Sequence, residues 1–100
     1  MYLYNTTYKV DLPVVGDFIL YIKNHLQNDE SAAKYILQHH IYKIEGIEER
    51  DGMTFCLHFL IKDLETFNTF VFVIDSKLKN QLTNKFGESV LFFSTLMKQQ

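Results

Sequence analysis

The chain has 100 residues, 47% hydrophobic and 22% charged, with a formal net charge of -2; that is enough for one core and too little for two, so a single domain over 1–100 is expected. Its ten basic residues stand singly along the sequence, without the concentrated basic face of a nucleic-acid binder. No run approaches the ~20 apolar residues of a spanning helix, and one cysteine, Cys56, leaves no partner for an internal disulfide or a cysteine metal cluster.

The chain starts as a strand. Tyr2, Tyr4, Thr6, Tyr8 and Val10 alternate with Leu3, Asn5, Thr7 and Lys9, the first set being the better core face. This layout is not the basic-then-apolar layout of a signal peptide, and a cytoplasmic protein is expected. Asp11, Leu12 and Pro13 open a helix that runs to about Gln27, with Val15, Phe18, Ile19, Ile22 and Leu26 on one stripe. After the break at Asn28, Asp29 and Glu30, Ser31 caps a short helical piece through Gln38.

From about His40 to Arg50 the chain reads as extended again, and Asp51-Gly52 carries a tight-turn signal. The strand that follows, from Gly52 to Lys62, alternates most cleanly of all: Met53, Phe55, Leu57, Phe59 and Ile61 on one side, Thr54, Cys56, His58 and Leu60 on the other. A two-residue turn sets the register. It pairs Phe59 with Ile44, Ile61 with Tyr42 and Leu57 with Gly46, and on the reverse face His58 with Glu45, Cys56 with Ile47 and Leu60 with Lys43.

Residues 70–74, Phe-Val-Phe-Val-Ile, have strand propensity, yet the longer pattern is helical. Phe67, Phe70, Val71, Ile74, Leu78, Leu82 and Phe86 recur at helical steps between a cap at Asp63 and a terminator at Gly87, with a bend near Asp75-Ser76. Phe72 and Val73 fall off this stripe and suggest a protein contact. A last strand, about Ser89 to Lys98, is apolar on both faces.

The order β-α-β-β-α-β predicts an α+β, ferredoxin-like fold: a four-stranded antiparallel sheet, strands one and three central, helices on one face. Leu3, Ile47, Leu60 and part of the last strand then lie on the side without helices. A second copy of the same sheet is the simplest cover, so a homodimer through that face is expected.

Tyr4-Asn5-Thr6-Thr7, Asp51-Gly52 with Thr54-Phe55, and Phe86-Gly87 followed by Phe93, Thr95 and Leu96 resemble, in order and spacing, the family of small bacterial proteins called domain of unknown function 4286. The resemblance covers nearly the whole chain. It implies a ferredoxin-like fold of the dimeric α/β-barrel kind and no established activity.

The chemistry is sparse. His39 and His40 are adjacent and point to opposite sides of a strand, so they do not grip one ion together, and neither a metal nor a cofactor is expected. Cys56 and His58 share a strand face, and with Glu45 as orienter they form a nucleophile-and-base arrangement on paper; a buried cysteine used as a small hydrophobe is the plainer account. There is no phosphate-cradling glycine loop. The polar groups that gather between the sheet and its cover are Asn5, Thr7, Glu45, Cys56 and His58, which either line a small-ligand cleft or satisfy one another across the dimer interface. The expected function is a non-enzymatic homodimeric module that binds a small molecule or a protein. The alternative is a cofactor-independent oxygenase- or isomerase-like enzyme with His58 as general base, oriented by Glu45.

Overall fold

The computed structural model describes residues 1–28, 30–46 and 51–100. Alternation settles the two middle strands. In β1, Tyr2–Asp11, the side chains of Tyr4, Thr6, Tyr8 and Val10 are buried while Leu3, Asn5 and Thr7 stay half-buried on the opposite face. In β3, Gly52–Ile61, Phe55, Leu57, Phe59 and Ile61 do the same against Thr54, Cys56, His58 and Leu60. The two strands run antiparallel along ten paired positions, from Tyr2 with Ile61 to Asp11 with Gly52. β4, Val90–Lys98, lies on the free side of β1, and β2, Gln38–Lys43, on the free side of β3. The sheet order is therefore β2-β3-β1-β4, with β1 and β3 central as the sequence predicts.

Helices cover one face. A 3-10 turn at Leu12–Val14 with Pro13 in its first turn leads into α1, Val15–Asn28, whose Phe18 and Ile22 are fully buried. Phe18 sits 5.1 Å from the Tyr8 ring and 5.7 Å from Phe55, so α1 is keyed to both central strands. The second helical stretch comprises α2, Leu64–Phe70, a π-helical turn at Val71–Asp75, and α3, Ser76–Phe86. All seven residues of its predicted stripe are buried or packed on the core. Phe72 points outward at 83% exposure, as its place off the stripe requires. At Asp75-Ser76 the chain completes a wide turn over Val71–Asp75, closed by the Ser76 amide donating back to the Val71 carbonyl.

Both ends of this stretch are fixed by sequence. The Asp63 carboxylate accepts a 2.8 Å bond from the Thr66 amide, and hydrogen bonds from Thr66 hold its carboxyl below the usual aspartate range. That cap is complete above the ordinary aspartate pKa and is lost as pH falls through the lowered value. Gly87 closes α3 at φ 56°, a backbone setting that favours glycine.

The region between α1 and β3 departs from expectation. Residues 31–38 hold a single 3-10 turn, Ala32–Lys34, and β2 begins at Gln38 rather than near His40. The β2–β3 register is also different: Phe59 pairs with His39, His58 with His40, Leu57 with Ile41 and Cys56 with Tyr42. Ile44 continues the ladder by donating to the Thr54 carbonyl at 2.9 Å. Ile47, expected opposite Cys56, lies outside the described residues, as do Glu48, Glu49 and Arg50. Every β2 side chain is thus on the face opposite to the one expected.

The cause is visible at Asp51-Gly52, which is not a hairpin turn. Gly52 pairs with Asp11, and the Asp51 carbonyl accepts from the Leu12 amide at 2.9 Å, so the dipeptide extends the β1–β3 ladder. A Cβ at Gly52 would collide with the Val10 carbonyl, which explains the glycine without a turn. Gly52→Ala is expected to destabilise the fold by ~1–3 kcal/mol in urea unfolding, the usual cost of forcing packed backbone apart. Gly16→Ala, in α1 with open space around its Cβ position, is the control and should instead stabilise by up to ~1 kcal/mol.

Candidate functional site

The sheet face without helices carries four rows of side chains, each row running across the strands. From one end they are Gln38-Leu60-Leu3-Met97, His40-His58-Asn5-Thr95, Tyr42-Cys56-Thr7-Phe93 and, in part, Thr54-Lys9-Leu91. The middle rows gather four of the five expected site residues. Asn5 donates to the Thr7 hydroxyl at 3.1 Å, and Thr7 Oγ1 lies 3.7 Å from Cys56 Sγ. Asn5 Oδ1 is buried and has no hydrogen-bond partner among the described residues.

The fifth, Glu45, is not among them. It lies past the end of β2 with its carboxylate 3.4 Å from Lys43 Nζ, and the residue opposite His58 is His40. The oriented base drawn from the two-residue turn is therefore not formed. In its place His40, Tyr42 and His58 make an aromatic group: Tyr42 stacks on His40 at 5.9 Å and meets the His58 ring edge-on at 5.3 Å. Hydrophobic ground surrounds this polar centre. Phe93 is 64% and Leu91 58% exposed. A hollow of about 340 Å³ bounded by Leu3, Leu60 and Met97 lies at one end of the face, and one of about 330 Å³ bounded by Thr7, Thr54, Leu91 and Phe93 at the other.

A second cluster, which the sequence reading did not find, lies under the helices. Asp75, at the end of the π-helical turn, is 2% exposed; its Oδ2 accepts from Tyr4 Oη at 2.8 Å and from Lys79 Nζ at 2.7 Å. Lys79 also donates to Tyr4 Oη at 2.6 Å and to Ser94 Oγ at 2.7 Å, and its ammonium stands 4.9 Å from the Tyr4 ring centroid. Ser94 shares a 2.8 Å hydrogen bond with the fully buried Thr6. All three ammonium protons thus have acceptors, and the pair sits at the edge of the core, with the Asp75 carboxylate buried and Lys79 partly exposed beside it.

Next to this network Tyr8 is fully buried, with no hydrogen-bond partner for its hydroxyl among the described residues. Burial, and then the nearby Asp75 carboxylate and Tyr4, push that phenol far above its ordinary range, with Thr6 pulling slightly the other way. Asp75 and Lys79 stand four residues apart on the flank of an apolar stripe, a spacing that reads from sequence as a solvated helix pair. Only the packing of β1 and β4 over that flank turns it into an interior one.

Four antiparallel strands in this order, with helices on one face, define a ferredoxin-like α+β fold. The whole chain, residues 1–100, matches the family described as Domain of unknown function (DUF4286), and the chain belongs to it. No match was found among the curated proteins. Solved structures similar to it include a dimeric ferredoxin-like protein from an uncultured marine organism, at 13% identity over 96% of this chain and 92% of that one, TM-score 0.73. A de novo designed protein, Foldit4, is similar at 10% identity over 99% and 98% of the two chains, TM-score 0.68. A hydroxynitrile lyase from Passiflora edulis is similar at 11% identity over 99% and 95%, TM-score 0.64. A designed protein and an enzyme on one fold leave function to be argued from the site.

Lys79→Met strands the Asp75 charge in the core and is expected to cost ~3–5 kcal/mol in urea unfolding, while the paired Asp75→Leu/Lys79→Met variant recovers most of that loss. Tyr8→Phe, which removes only the unpartnered hydroxyl, should be neutral or stabilising by ~1 kcal/mol.

Proposed function

We propose that this protein is a non-enzymatic binding module that works as a homodimer, sheet face against sheet face, with the polar middle of the covered face holding a small ligand. The observation that carries this reading is the exposure of Phe93, Leu91, Met97 and Tyr42 on the side of the sheet opposite the helices. Leu3, Leu60 and Cys56 lie half-buried among them. Aromatic and aliphatic side chains on the flat face of a rigid sheet are well suited to an isologous contact, in which the patch meets itself about a two-fold axis. The similar structure from the marine organism, itself described as dimeric, supports the same reading.

Within that cover, Asn5, Thr7, Cys56 and His58, half-buried side by side on this face, are the ligand-facing groups. Glu45 drops out because it lies beyond the strand. The enzyme reading with His58 as base loses its orienter for the same reason.

Sedimentation velocity at micromolar concentration is expected to give twice the chain mass. Phe93→Glu and Leu91→Glu should each shift it towards monomer, while Phe72→Glu, on the helical side, should leave it unchanged. A monomeric native chain, or a dimer indifferent to Phe93→Glu but broken by Phe72→Glu, overturns the proposed interface.

A further inference from the structure

The observed register brings together two imidazoles that the sequence does not pair. His40 on β2 and His58 on β3 stand directly opposite each other, both on the face away from the helices. Side chains directly opposite on antiparallel strands have Cβ atoms ~4.5–5.5 Å apart, and an ion bound at ~2.0–2.1 Å by each of two imidazole nitrogens needs no larger spacing. Backbone pairing holds both residues in place. Tyr42 packs on both rings, at 5.9 Å from His40 and 5.3 Å from His58, and so limits their motion.

We propose that His40 and His58 chelate one divalent late-transition-metal ion, of the copper, nickel or zinc class, through one ring nitrogen each. Neutral imidazole suits these ions, whereas magnesium and calcium take oxygen ligands. Among the described residues no three histidine, cysteine, aspartate or glutamate side chains converge on a point. The site is therefore a two-nitrogen anchor, with water in the remaining positions. Cys56 shares the face but lies two strand residues from His58, ~7 Å along the backbone. This inference does not rest on the dimer, because both ligands come from one chain.

His39 provides an internal control: it is adjacent to His40 in sequence, is also exposed, and pairs with Phe59 on the other face of the sheet. Titration of the full chain with nickel or zinc chloride, followed by calorimetry, is expected to give one ion per chain. His40→Ala and His58→Ala should each weaken binding about tenfold or more, because each removes the effective-concentration advantage of the second ligand. His39→Ala should bind as the native chain does. With copper, electron paramagnetic resonance should show hyperfine coupling to two nitrogens, reduced to one in either variant, with circular dichroism confirming that each variant is folded. Equal binding by the native chain, His40→Ala and His58→Ala, equal weakening by His39→Ala, or no binding at micromolar metal overturns the site. Sedimentation in chelator keeps the two readings apart: a dimer that persists without metal leaves the proposed interface intact whatever the titration shows.

Discussion

Two helical segments can cover only one side of a four-stranded sheet, and the rest of this molecule follows from that inequality. The covered side takes the large residues of β1 and β3, the stripes of α1 and the second helical stretch, and nearly all the aromatic contacts. The other side is built from the intervening positions of the same strands, which the two-residue period leaves free of the core. Antiparallel sheets commonly leave such a face polar, whereas here it is a polar centre between apolar ends. The proposed assembly and the proposed metal anchor both draw on that mixed surface.

The parts of the fold governed by periodicity were legible from the residues. β1, β3, α1 and the long helical stretch each repeat over ten residues or more, and Asp63 and Gly87 mark their ends by mechanisms local to the chain. The β2 register was not legible, for a specific reason. Asp51-Gly52 has the chemistry of a tight turn, but the same residues are needed to finish the ladder with Asp11 and Leu12, and central pairing outweighs a local preference. β2 itself gives little resistance: Gln38, His39, His40, Tyr42 and Lys43 are all exposed, so neither face of the strand is strongly specified. The turn chemistry therefore points to Glu45 opposite His58, whereas the strand pairing puts His40 there.

The interior network is a different kind of omission. Each member has an ordinary surface interpretation: Asp75 and Lys79 as a helix pair, Ser94 as an outward strand residue, Tyr4 as core. The π-helical turn and the cover supplied by β1 and β4 bring them together. An ion pair with a buried member is weak support for stability, since apolar residues of similar volume do as well or better. Its geometry is more restrictive than that of aliphatic packing, because four hydrogen bonds to Asp75 Oδ2, Tyr4 Oη and Ser94 Oγ are met only when α3 crosses the sheet at one height. The network thus fixes where α3 sits rather than how tightly it is held.

β4 pairs with β1 along one side and forms an outer margin of the sheet. It opens Val90-Leu91-Phe92-Phe93, a run rich in strand-forming side chains and free of charge. A margin of that composition presents a template on which an extended segment of another molecule can be laid, rung by rung, into an indefinitely growing ribbon. Face-to-face closure ends after two copies, whereas edgewise growth has no natural stop. The charge that works against such accretion on this strand is Lys98, at its far end, which leaves the first half of β4 as the stretch of this margin without a charge of its own.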